Sequence, residues 1–76
     1  MDTTDRHPET VAIAKHFSYD HLPIPLQATS KACHDLAEEM ITNLRDSPEL
    51  MVGLRKLLEA KDCFVRASLE VVKRDW

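Results

Sequence analysis

Ser47 to Trp76, SPELMVGLRKLLEAKDCFVRASLEVVKRDW, constrains the fold more than any other stretch. Ser47 is a good N-cap, its hydroxyl able to accept from a first-turn N–H that has no helical partner. Pro48 suits the first helical position, and Glu49 sets a negative charge at the positive end of the helix dipole. Beyond this start, Met51, Leu54, Leu58, Val65, Leu69 and Val72 recur at three- and four-residue steps. Leu50, Leu57, Ala60, Phe64, Ala67 and Val71 form a second stripe beside the first. The pattern predicts one long helix with an apolar face wider than a single partner helix covers.

A chain of 76 residues is one small domain, and a domain of that size buries only ~60% of its unfolded surface. Such cores usually need disulfides, metal or association with further copies. With one Gly and 43% apolar residues, the composition is neither disordered nor of low complexity. Cys33 and Cys63 stand alone at helical positions, which suits small core residues in a reducing cytosol better than a disulfide. Met1 to Glu9 is polar and charged, unlike a secretory signal, and no apolar run approaches membrane-spanning length. Association is thus the expected source of extra stability, in a cytoplasmic setting.

The net charge of −3 argues against a general DNA or RNA binder, because neutralising phosphates requires a basic surface. The charge is uneven. Ala32 to Leu50 holds five acids against Arg45, whereas Arg55 to Arg74 holds six bases against three acids. Complementary helices explain this asymmetry, and so does a basic pocket for a small anion.

Toward the start, Met1 to His7 is expected to be flexible, with a single domain over residues 8–76. Pro8-Glu9-Thr10 opens a short helix to about Lys15, Ile13 and Phe17 facing inward. Pro23 and Pro25 push their neighbours toward extended geometry, so His16 to Pro25 is expected to be irregular. Phe17, Tyr19 and His21 alternate there, and in an extended segment would point the same way. A second long helix runs from Pro25 to about Arg45, with Leu26, Cys33, Leu36, Ala37, Met40, Ile41 and Leu44 as its stripe. The corner Arg45-Asp46-Ser47-Pro48 makes the two long helices antiparallel neighbours. The expected fold is all-α: a helical hairpin with a short N-terminal helix, assembling as an oligomer.

Chemistry is sparse. Cys33 and His34 are adjacent on a helix and diverge by about 100°, so they do not ligate a metal together. Glu38/Glu39 and Glu59/Asp62 suit solvated faces better than an acid–base site, and no Gly-rich phosphate loop exists. No enzyme, metal site or cofactor is expected. Asp62, Arg66, Glu70 and Arg74 alternate in sign every four residues, the pattern of a surface ion-pair ladder. Lys61 is odder, lying on the stripe of Leu54, Leu58 and Val65. A charge there snorkels, sets register between subunits, or meets an anion.

Phe17-Ser18-Tyr19-Asp20-His21-Leu22-Pro23, followed by a helix and then by Glu49, Leu54-Arg55-Lys56-Leu57-Leu58-Glu59-Ala60 and Ala67, resembles the hairpin domain of the anti-CBASS and anti-Thoeris sponge proteins of bacteriophages. The family pattern is an F-x-Y-H-x-P-like opening, a helix, a corner and an A-L-T-K-L-E-x-A-type helix. The likeness covers about Phe17 to Leu69. Asp20 separates Tyr19 from His21, Arg55 stands at the usual Thr, and Lys61-Asp62 replaces bulky apolar or aromatic residues. These departures bear on the ligand more than on the fold.

The resemblance implies a non-catalytic homo-oligomer, a hexamer being one such assembly, in the host cytoplasm. It would sequester cyclic di- or trinucleotides or cyclic ADP-ribose-type signals and silence anti-phage immunity, with pockets between protomers. Carried over by position, Tyr19 and His21 would stack on or cap a base, worth roughly 1–3 kcal/mol for a good stack. Lys56, with Arg55 beside it, would meet phosphates, with Lys31 as a weaker candidate. Phe17 is a further candidate, balanced against a role in covering the open end of the hairpin. The alternative is a small helical oligomerisation or protein-interaction module with no nucleotide ligand.

Overall fold

The computed structural model describes the backbone of residues 1–73 and the side chains of residues 1–69. Three α-helices and one 3-10 turn follow in order: α1 (Pro8–Ala14), the turn Lys15–Phe17, α2 (Ile24–Asn43) and α3 (Pro48–Lys73). There is no strand among the described residues. At 1.5 Å per residue α3 is about 39 Å long, close to the molecule's 43 Å long axis.

Each helix begins for a local reason. Ser47 Oγ accepts from the Leu50 N–H at 3.1 Å, and the Ser47 carbonyl accepts from Met51 N–H at 3.1 Å. The expected N-cap and the proline at the first helical position are therefore both formed. His7 caps α1, its Nδ1 accepting from Glu9 N–H at 3.0 Å. Helix α2 starts at Ile24, one residue before the expected Pro25, because a proline in the first turn gives up no hydrogen bond. It ends at Asn43, where Leu44 turns to extended geometry with φ −117° and ψ 148°.

The segment from His16 to Pro25 is less irregular than expected. His16 and Phe17 complete a 3-10 turn, and Ile24 and Pro25 already belong to α2. That turn buries Phe17 completely, at 0% exposure, among Ile13, Cys33, Ala37, Ile41, Leu50 and Leu54. Burying a side chain of this size contributes roughly 1.5–3 kcal/mol. Helices α2 and α3 pack closely, with Thr29 Oγ1 and Ser68 Oγ 2.8 Å apart near one end and Ile41 and Leu50 sharing the core near the other. Ser68 donates to the Phe64 carbonyl at 3.0 Å, so Thr29 is the donor to Ser68.

Four expectations about α2 and α3 meet a different outcome. The buried seam of α3 follows Leu50, Leu54, Lys61 and the half-buried Val65. Phe64 of the second stripe is 53% exposed and Ala67 is also exposed, because α2 reaches only one side of that wide face. Cys33 is buried as a small core residue, its thiol pKa pushed up by burial, whereas Cys63 faces outward. Asp62 and Arg66 form no ion pair among the described residues, and Arg66 donates instead to Cys63 Sγ at 3.4 Å. The remaining ladder and stripe positions, the Glu70, Val71 and Val72 side chains and Arg74, lie outside the described residues, as does Trp76.

The expected flexible lead-in carries contacts that bind the chain together. Helix α2 has no basic residue in its last turn, and Arg6 supplies the cation from 35 residues away. Its guanidinium donates to the carbonyls of Ile41 and Leu44, the latter at 2.9 Å, and to Asp46 Oδ1 at 3.1 Å. Asp46 also accepts from His7 N–H at 2.9 Å and from Thr10 Oγ at 2.7 Å. One corner carboxylate thus joins the start of α1, the end of α2 and the turn into α3. The Arg6 guanidinium, then the His7 amide and the Thr10 hydroxyl, hold the Asp46 carboxyl far below the usual carboxylate range.

Candidate functional site

The burial of Phe17 sets the site. With that ring locked in the core, the chain leaves the 3-10 turn along the flank of α2. Lys61, 9% exposed, reaches across from α3 and donates to the His16 carbonyl at 2.6 Å. The odd charge in the apolar seam is thus spent on the backbone just ahead of Tyr19. On the other side, Leu22 N–H closes a turn onto the Tyr19 carbonyl at 3.0 Å, and Gln27 Nε2 donates to the Leu22 carbonyl at 2.9 Å. The Tyr19 loop is therefore pinned at both ends.

Tyr19 is half-buried and meets His34 of α2 edge to face, with ring centroids 5.1 Å apart and planes at 70°. Such pairs contribute about 0.5–1.5 kcal/mol beyond simple burial. His34 Nδ1 lies 3.0 Å from Asp35 Oδ1, and Asp35 Oδ2 lies 2.7 Å from Lys31 Nζ. An ionised carboxylate only accepts, so Nδ1 carries the proton, and in the neutral ring Nε2 is left as an acceptor. Lys31, and secondarily His34, lowers the Asp35 carboxyl, while Asp35 raises the Lys31 ammonium. Both side chains are about half exposed, so solvent screens the pair and these shifts orient charge rather than add stability.

Tyr19 and His34 line a polar cleft of about 520 Å³, together with Met1, Thr3, Lys15, Ser18 and Asp20. That volume lies in the ~300–1,000 Å³ range of small-molecule pockets. The cleft offers an aromatic edge, an oriented imidazole and a lysine at one place.

The structure brings only part of the expected set together. Tyr19 lies in the cleft, and Lys31 approaches it through the Asp35–His34 chain. Phe17 presents no face to a ligand, being wholly enclosed in the core. His21 is exposed in the turn before α2, so Phe17, Tyr19 and His21 do not point the same way; the 3-10 turn breaks the extended geometry that alignment required. Arg55 and Lys56 are exposed on α3, and Arg55 borders a separate cleft beside His7, Glu9 and Asp46. His34 and Lys15 are the members that sequence reasoning missed. The signal for His34 was present: Lys31 and His34 stand at i and i+3 on one helix face.

On another side, Leu36, Met40 and Leu44 of α2 and its end face Leu50, Gly53 and Leu57 of α3 across an apolar groove of about 550 Å³. Leu36 and Leu44 remain 45% and 49% exposed there, and a Cβ on Gly53 would meet nothing within 4 Å. Among the described residues, no group of three or more His, Cys, Asp or Glu side chains is placed to hold a metal ion. No described helix is long and apolar enough to cross a membrane. No family model, curated protein or solved structure matches the chain.

Proposed function

We propose that this chain is a non-catalytic sponge for cyclic oligonucleotide or cyclic ADP-ribose-type signals, acting in the cytoplasm of a phage-infected host to silence immune signalling. The observation that carries the reading is the Tyr19–His34 cleft. A half-buried ring suits a base, the His34 acceptor suits an amino or imino edge, and Lys15 suits a phosphate. The Ser18 hydroxyl in the cleft donates to the Lys15 carbonyl at 3.1 Å rather than to the imidazole of His34, which favours retention of a ligand over its conversion. In this reading α2 and α3 form a helical hairpin that assembles as a homo-oligomer. Arg55 and Lys56 then belong to the wall that a second protomer supplies, with His21 at the rim. The exposed leucines of the apolar groove support association.

The test is a thermal-shift screen against cyclic di- and trinucleotides and cyclic ADP-ribose isomers. A ligand at a hundredfold excess over its Kd adds ~2.7 kcal/mol, a rise in Tm on the order of 10 °C for a domain of this size. Tyr19→Ala then weakens binding with little dependence on salt, whereas Lys56→Ala weakens it and flattens the salt dependence. If both variants assemble and bind like the parent, the site is elsewhere. The apolar groove favours one other reading, a helical protein-interaction module. A flat response across the whole panel, with assembly intact, selects that module.

A further inference from the structure

We infer that α3 pairs with α3 of a second copy of this chain, antiparallel about a two-fold axis, so that Phe64 of each copy seats on Gly53 of the other. The pairing gives a face to the assembly of the sponge reading; its role there rests on that reading, but its geometry does not. Along one side of α3 the residues alternate large and small at three- and four-residue steps: Leu50, Gly53, Leu57, Ala60, Phe64, Ala67. Large residues hold one position of the heptad and small ones the other, over about 26 Å of helix.

Such a stripe fits itself in one direction only. In a parallel pair Phe64 meets Phe64 and Gly53 meets Gly53, so crowded layers alternate with empty ones. Reversing one copy sets every large position against a small one. With the axis between Leu58 and Glu59, Gly53 faces Phe64, Leu57 faces Ala60, and Leu50 faces Ala67. Each layer then occurs twice, as a two-fold interface requires.

Both halves of the fit stand open in the single chain. Phe64 is 53% exposed, and a Cβ on Gly53 would meet nothing within 4 Å. A glycine inside a helix is less stable than alanine, and no described atom of this chain fills the space it leaves. Gly53 lies in the apolar groove beside Leu36, Met40, Leu44 and Leu57, so a ring arriving there enters an apolar seat. Phe64, Leu36 and Leu44 are each about half exposed, which leaves on the order of 100 Å² apiece in water. With Met40, Leu57 and the small residues of the stripe, each copy offers on the order of 500 Å². Two copies thus reach the ~1,000 Å² that a specific interface must clear.

The test is sedimentation equilibrium on the full chain and on Gly53→Phe, Phe64→Ala and the double variant, each first checked for parental circular dichroism. Both positions face solvent in the single chain, so the fold is expected to tolerate all three. Gly53→Phe sets ring against ring, and Phe64→Ala leaves two seats empty. Each is expected to raise the dissociation constant about a hundredfold, because the two-fold axis counts every change twice. The double variant exchanges the large and small roles, and is expected to return to within about tenfold of the parent. Direction is read from spin labels on Val52→Cys, Glu59→Cys and Arg66→Cys in a Cys63→Ser background, Cys33 being buried. These three positions are exposed on one flank at seven-residue spacing. The distance between labels is expected to be shortest at Glu59, with offsets along the axis of about 20 Å at Val52 and 22 Å at Arg66. Equal distances at all three overturn the antiparallel pair. A parent that stays monomeric up to millimolar concentration overturns the second copy as occupant of the groove. So does a double variant no better assembled than the single ones. If Gly53→Phe assembles like the parent, this interface falls while the assembly of the sponge reading stands on another face. Thermal shifts with cyclic nucleotides on the same samples report on ligand binding separately.

Discussion

Ser30→Ala is expected to stabilise the protein by about 1–3 kcal/mol. Ser30 sits in α2 at 0% exposure, and its hydroxyl has no hydrogen-bond partner among the described residues. Burying an unpaired hydroxyl costs roughly 1–3 kcal/mol relative to an apolar atom in its place. Alanine recovers that cost and adds about 0.5 kcal/mol of helix propensity. Against this stands the space left by one oxygen, roughly 10 Å³, which costs about 0.2 kcal/mol at ~24 cal/mol per Å³. The gain dominates. In a domain of this size each kcal/mol moves Tm by about 4–8 °C, a shift scanning calorimetry resolves easily. Urea titrations at equal protomer concentration check the same quantity, since any association couples stability to concentration. Equal or lower stability at an unchanged m-value refutes the reasoning, because the hydroxyl would then have found a partner.

Three further outcomes are expected. The Asp46 carboxyl lies below its ordinary 3.8 in the folded chain, so its contribution is complete above that value and is lost as the pH falls below about 4. Urea midpoints of the parent should therefore drop between pH 5 and pH 3, and those of Asp46→Asn should start lower and fall less steeply. Lys61→Ala removes the charged donor to the His16 carbonyl at a cost of roughly 1.5–3 kcal/mol, with amide exchange quickening first at Ser18–Leu22. Leu44→Glu places a charge on the apolar groove, and sedimentation should show it shifting any assembly toward monomer while the circular dichroism is kept.

What the sequence made legible was local. The Ser47–Pro48 start of α3, the proline near the start of α2 and the helical periodicity all act within a turn or two, and the helices they announce are formed, although Leu36, Leu44 and Leu69 of the expected stripes are exposed. The placement of Arg6 was not legible, because its partners lie 35 to 40 residues away and nothing in DRHPET announces them. Nor is the burial of Phe17 separable from the exposure of His21 in an extended segment between α1 and α2, where alternate side chains share a face. A 3-10 turn of three residues redirected each side chain in turn. Lys61 was recognisable as anomalous from its stripe, but its partner is a backbone carbonyl, which no side-chain pattern marks. The candidate cleft was half visible. Tyr19 and Lys31 are legible as candidates, whereas His34, the imidazole between them, reads in the sequence only as a neighbour of Cys33 that helix geometry keeps from sharing a metal.

The Asp46 corner also has a consequence in time. Helices α2 and α3 are adjacent in sequence, and the turn between them closes a short loop, whereas Arg6 and Thr10 must find Asp46 across 40 and 36 residues. Contacts of short separation form first, because they lose less chain entropy on closing. The corner is thus among the last features to lock, and interactions absent from the folding transition state act mainly on the unfolding rate. Arg6 and Asp46 are accordingly a brake on unfolding, holding the molecule shut without hurrying its formation.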